Sequence, residues 1–260
     1  MVSGAHPRRS IKRSALKQGH KPRMAIARIL LMLALVLTSL PSTADRLRVA
    51  VAANFKPTLE TLTEAFESAT GHTVVLSSAS SGVLATQIMQ GAPFDIFFSA
   101  DRAAPERALL ELGLPDKQLF CYARGQLVLL SKTERGLAAL NEPDITLAIA
   151  NPATAPYGRA AMEVLSRDEF QGGTPRKLVR GNNAIQAYQF WHTGSVNAAI
   201  VPRSLIEKDA GYLLPQAWHE PIDQYALVVS QRPAVDAYIA WLRSDNVRSG
   251  LQNAGYLPCP

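Results

Sequence analysis

The sequence predicts an α/β protein of two lobes, each with a mixed, mostly parallel sheet covered by helices. Three observations carry this. Strand and helix patterns alternate along the chain, which implies βα units. About 216 of the 260 residues remain once an N-terminal segment is set aside, which is long for one small domain and suits two lobes of about 100 residues each. No internal repeat or low-complexity linker interrupts them.

The segment set aside is 1–44. It carries Arg8, Arg9, Lys12, Arg13, Lys17, Lys21, Arg23 and Arg28, and no acidic residue. An apolar run from Ile29 to Leu40 follows, Pro41 breaks it, and Ser42-Thr43-Ala44 supplies small residues. Basic flank, short apolar run and small-residue exit are the parts of a secretory signal, with the cut expected after Ala44. The run is shorter than the roughly 20 residues that span a bilayer. The first cysteine is Cys121, so no lipidated cysteine is expected at the exit, and the mature chain is expected free in the periplasm.

Removing the segment reverses the charge. The whole chain has 27 Lys+Arg against 21 Asp+Glu, net +6. Taking away eight basic residues leaves 19 against 21, net −2. The basic footprint that nucleic acid or an anionic membrane needs is therefore absent from the mature part.

Leu47 to Ala52 reads as a buried strand. Thr58 to Thr70 reads as a helix, with Leu59, Leu62, Phe66 and Ala69 on one face and Gly71 as its stop. Thr73 to Leu76 is a strand, Gly82 to Gln90 a helix, Phe94 to Ser99 a strand and Ala104 to Leu112 a helix. Gln126 to Ser131 and Ile145 to Ala150 are strands, and Arg159 to Arg167 a helix. Leu178-Val179 is a short strand, Asn183 to His192 a helix, and Ala198 to Val201 and Tyr225 to Val229 are strands. Pro233 to Arg243 and Val247 to Ala254 are closing helices. Tyr188 and Trp191, three apart, form an apolar stripe expected in the core, as is Trp241.

In open α/β sheets ligands bind beyond the carboxyl ends of the strands. Four segments there are small, polar and uncharged: Ala53-Asn54-Phe55, Ser77 to Gly82, Asn151 to Gly158, and Gly181 to Ala184. Each is a plausible helix N-cap, since Ser and Asn oxygens accept from orphan backbone N–H groups. Four together at one end of the sheets point further, to an anion site, because helix N-termini present unpaired donors and partial positive charge.

The strings VAVAANF, ATGHTVVLSSASSG, LATQIMQGAPFDIFFSAD, NPATAPYG, GNNAIQAY and AGYLP resemble the periplasmic molybdate-binding proteins of ABC importers, over essentially the whole mature chain. The resemblance implies the type II periplasmic-binding-protein fold, with lobe I at 45–123 and 224–260 and lobe II at 124–223. It implies molybdate or tungstate as ligand, no cofactor, and no metal bound as a bare cation. The implied partners are a cognate ABC permease with its ATPase subunits, and the protein is expected to be a monomer. Matched residue by residue, it implies ligand contacts from Asn54, Ser81, Tyr157 and Ala184, the last through its backbone N–H alone. Two positions depart from relatives: Ala53 stands where some have threonine, and Pro202 where another branch has a ligand-binding tyrosine. The second departure fits a branch that uses Tyr157 instead.

Two other readings compete. Sulfate or another oxyanion shares the charge and shape of molybdate, and cavity size would have to discriminate. A serine hydrolase using Ser81 would need an oriented base, but His72, His192 and His219 are not placed as its partner, and no G-x-S-x-G elbow occurs. Cys121 and Cys259 are the only cysteines, and an exported protein meets an oxidising compartment. Sequence carries no Cα separation, so whether they join stays open at this level.

Overall fold

Strand β1 (Arg46–Ala52) lies at the heart of the first of two five-stranded sheets. The computed structural model describes residues 1–2, 44–133, 135–207 and 210–260. The expected export segment falls mostly at 3–43, outside the described residues. Leu47, Val49 and Val51 of β1 pack in one apolar cluster with Phe55, Phe66 and Tyr238, while Ala50 faces a second with Leu84, Ile88 and Phe97. Burial on both faces explains why the strand reads as an unbroken apolar run.

Helix α1 (Lys56–Thr70) begins two residues earlier than expected, because Pro57 fits the first turn, where no N–H is needed. Gly71, at φ 73°, closes it by donating to Glu67 O. Strand β2 (Thr73–Ala79) corrects the reading of Ser77 to Ala79 as loop. It pairs with β1 through all seven positions, from Arg46↔Thr73 to Ala52↔Ala79. As an edge strand it tolerates the polar serines that hid it. Helix α2 (Ser81–Met89), β3 (Ile96–Ser99) and α3 (Ala103–Glu111) follow.

Strand β4 (Leu119–Arg124) was not expected. Only Gly125-Gln126 separates it from β5 (Leu127–Ser131), too little punctuation to split two strands by pattern. Those two residues carry the chain from the first sheet to the second. The second sheet also contains β6 (Thr146–Ala150), β7 (Lys177–Gly181), β8 (Ala198–Pro202) and β9 (Tyr212–Leu213), in the order β7-β6-β8-β5-β9. Helix α4 (Pro156–Leu165) follows β6 and α5 (Ala184–His192) follows β7. The chain then returns to the first sheet with β10 (Asp223–Val228), giving the order β2-β1-β3-β10-β4, and ends in α6 (Pro233–Leu242) and α7 (Asp245–Asn253).

Each sheet has a parallel triple, β2-β1-β3 and β7-β6-β8, extended by antiparallel strands. This is the two-lobed architecture expected. The two connections run side by side: Gly125 N–H donates to Ile222 O at 2.9 Å, and Arg124 pairs with Asp223 at 2.6 Å. Cys121 and Cys259 are joined, with Cα atoms 6.1 Å apart, and Leu257 exchanges backbone hydrogen bonds with Arg124. The C-terminal tail is thereby tied to β4 of the first sheet. Tyr188 and Trp191 pack on the β5-β6-β8 face, and Trp241 packs with Phe66 and Tyr238.

Candidate functional site

The carboxyl ends of the two parallel triples face each other across a small cavity. Its lining includes Asn54 beyond β1, Ser80-Ser81 beyond β2, Ala100 beyond β3, Tyr157 on α4 and Ala184 on α5. All four residues expected from the sequence meet there. Among the described residues, no charged side chain lines the cavity.

Backbone donors dominate the walls. Ser81 and Ala184 are the first residues of their helices and Tyr157 the second of its own, positions whose N–H groups have no intrahelical partner. The N–H groups of Asn54, Ser81, Tyr157 and Ala184 have no acceptor among the described residues. Of the four expected caps, only Asn183 acts as one, accepting from Gln186 N. Phe55 and Ala155 occupy the cap positions of α1 and α4 and cannot accept. Ser80 occupies that of α2 without making the bond, and its buried hydroxyl has no partner. The reason to expect caps was that orphan donors need acceptors; here the donors stay unspent.

Two hydroxyls are set in the same sense. Ser81 Oγ accepts from Ala100 N–H at 2.9 Å. Tyr157 Oη accepts from Gln224 Nε2–H at 2.9 Å. In each case a lone pair is occupied by a protein donor, and the hydroxyl proton remains for another acceptor. Burial pushes the Tyr157 phenol well above its ordinary range and Tyr256 up to about 12, so both stay protonated near neutral pH.

Asn54 differs from the expected side-chain donor. Its Nδ2 donates to Gln224 Oε1 at 2.9 Å and to Tyr256 Oη at 3.3 Å, which uses both N–H bonds. What it has left to offer the cavity is its backbone N–H. Gln224 and Tyr256 were missed by sequence reasoning. Gln224 was missed because the apolar strand was begun at Tyr225, leaving the amide in a loop. A polar residue abutting an apolar strand at a crossing was the signal available.

The lobes are in contact around the cavity. Gly82 N–H donates to Thr154 O at 3.0 Å, Ser204 Oγ donates to Asn54 O at 3.2 Å, and Arg159 pairs with Asp101. At Gly158 a Cβ would lie 2.2 Å from Ala150 O, so only glycine lets α4 start this close to the end of β6.

The hydrolase reading finds no base. The partner of Ser81 Oγ is a backbone N–H. His72 accepts from Asp45 N–H, His192 stacks on Tyr188, and His219 Nδ1 lies 2.7 Å from Glu220 O. What the arrangement can do is hold a compact anion through neutral donors. Hydrogen bonds to a charged acceptor contribute about 1.5–3 kcal/mol each, without the desolvation cost of a buried ion pair.

Comparison with known proteins identifies the family. The family profile of the bacterial extracellular solute-binding proteins matches residues 47–257. A molybdate-binding protein of Azotobacter vinelandii is 34% identical over 246 residues, covering 89% of this chain and 98% of the relative. A molybdate-binding protein of Rhodobacter capsulatus is 36% identical over 236 residues, covering 86% and 94%. The solved structure of the Azotobacter vinelandii periplasmic molybdate-binding protein superposes with a TM-score of 0.73 at 33% identity, over 82% of this chain and all of that one. The chain belongs to the family of bacterial extracellular solute-binding proteins.

Proposed function

We propose that this protein captures molybdate in the interlobe cavity and delivers it to a cognate ABC permease with its ATPase subunits. One observation carries the reading: a small cavity walled by both lobes offers donors and, among the described residues, no charged group, in a chain whose one-third-identical relatives are molybdate-binding proteins. Tungstate, an oxyanion of like charge and shape, fits the same donor set. The lobes are assigned as 45–123 with 224–260, and 124–223. The protein works as a periplasmic monomer after loss of 1–44; N-terminal sequencing of the exported form should begin at or near Asp45, and retention of Met1 would refute the cleavage.

Asn54, Ser81, Tyr157 and Ala184 are assigned as ligand contacts: backbone N–H from all four, hydroxyls from Ser81 and Tyr157. Contacts from both lobes exist together only when the cleft is closed, so the ligand favours closure by its differential affinity. Ser81→Ala removes one hydroxyl and keeps the N–H; it should weaken molybdate binding by about 10- to 150-fold, the equivalent of about 1.5–3 kcal/mol. Tyr157→Phe should cost a similar factor, and Ala184→Gly little. Calorimetric titration with molybdate, tungstate and sulfate checks this. Parent-like binding by Ser81→Ala together with collapse of binding in Ala184→Gly would mean the contacts are assigned wrongly. Sulfate binding as tight as molybdate would replace the cargo.

A further inference from the structure

We infer that Gln224 is a positioning residue that sets the hydrogen-bond polarity of the site, holding the Tyr157 hydroxyl as a donor toward the bound anion. The inference rests on the oxyanion reading above and concerns a residue that does not itself line the cavity.

The direction of each bond follows from one fixed point. The backbone carbonyl of Asn54 can only accept, and Tyr256 Oη donates to it at 3.1 Å. Tyr256 Oη must then accept from Asn54 Nδ2, at 3.3 Å. This places the Asn54 amide nitrogen toward Gln224 as well, so the atom it meets there at 2.9 Å must be the oxygen, Oε1. Tyr122 Oη lies 2.8 Å from the same oxygen and 3.2 Å from Ser99 O, and its single proton is shared between these two acceptors, the nearer being Oε1. With Oε1 fixed on that side, Nε2 must face Tyr157, 2.9 Å away. A phenol oxygen that accepts an N–H keeps its own proton, and no described residue accepts that proton.

The amide sits where it can do this for both lobes. Gln224 is fully buried on β10, beside a register irregularity at Gln224/Tyr225 and directly after the return from the second sheet. Asn54 belongs to the first lobe and Tyr157 to the second, and the single amide joins them. The outgoing connection packs on it too: a Cβ at Gly125 would lie 2.0 Å from Tyr157 Oη and 2.9 Å from Gln224 Nε2. The titratable groups facing this amide are the phenols of Tyr122 on β4, Tyr157 on α4 and, through Asn54, Tyr256; the neighbouring carboxylate, Asp223, is paired with Arg124.

Reversing the polarity is the test. Gln224→Glu keeps the shape, but an ionised carboxylate can only accept. It would accept a hydrogen bond from the Tyr157 hydroxyl, turning that proton away from the ligand, and add a buried negative charge beside the anion. Molybdate binding, measured by calorimetry, should fall by at least about 100-fold near pH 8. It should recover as the pH drops toward about 5, because a buried glutamic acid with a raised pKa donates again. The parent, titrated alongside at each pH, should show no such recovery. A carboxylate variant that binds like the parent at about pH 8, or one equally weakened at every pH, would overturn the inference, since a merely structural amide predicts no recovery with acid. If Gln224→Glu does not fold, Gln224→Met supplies the second route. Combined with Tyr157→Phe it should bind no more weakly than Tyr157→Phe alone, and independent, multiplying losses would overturn the claim. A parent that binds no oxyanion would instead remove the function reading on which this depends.

Discussion

Cys121→Ser combined with Cys259→Ser is expected to lower the unfolding free energy by about 5 kcal/mol. The bridge closes a sequence separation of 138 residues, and the entropy removed from the unfolded chain grows with the logarithm of that length. For a chain of this size each kcal/mol corresponds to roughly 2–4 °C in Tm, so a loss of roughly 10–20 °C is expected. Molybdate binding should persist below the new midpoint. The tail stays docked through Arg124 N–H to Leu257 O at 2.8 Å and its reciprocal at 2.9 Å, and none of the cavity lining comes from the tail. Urea unfolding of the double variant against the oxidised parent measures the effect. Coincident transitions, or two reactive thiols in the denatured parent, would show that the bridge does not form.

Ala184→Leu is expected to abolish molybdate binding, with a loss of at least about 100-fold, while leaving the unliganded fold intact. Ala184 is 5% exposed and its methyl forms part of a cavity wall that is largely alanine: Ala52, Ala53, Ala100 and Ala155. Helix α5 packs on β6, β7 and β8, so its backbone cannot withdraw to make room. The added carbons must enter the space of the ligand, or hold the lobes apart; overpacking of this kind costs about 1–3 kcal/mol where it meets a wall. Contacts from both lobes would then no longer exist together. Titration beside thermal unfolding separates the two quantities. A leucine variant that binds within about threefold of the parent would move the site elsewhere.

Much of the architecture was legible from local pattern. The apolar run of β1, the Gly71 stop of α1 and the helical spacing of Tyr188 and Trp191 are properties of short windows, and period and punctuation report them directly. The strands that escaped, β4 and β9, are short or poorly punctuated, and β2 was cut short because edge position excuses its serines from being apolar. At the site, the segments that carry Ser81, Tyr157 and Ala184 stood out because strand ends before helices are where orphan donors collect, while the individual residues were implied by the family resemblance.

What the sequence by itself determined is the set of small neutral residues at those strand ends, the alternation that builds two sheets, and the absence of net positive charge from residues 45–260. What only the tertiary structure decided is which donors remain unspent. Asn54 uses its side-chain amide on Gln224 and Tyr256, which lie 170 and 202 residues away in the chain. Tyr157 accepts from the same glutamine, 67 residues away, and so keeps its proton for the cavity. A residue type states how many hydrogen bonds a side chain can make; which are already made depends on atoms brought close by the fold, and no local window of sequence contains them.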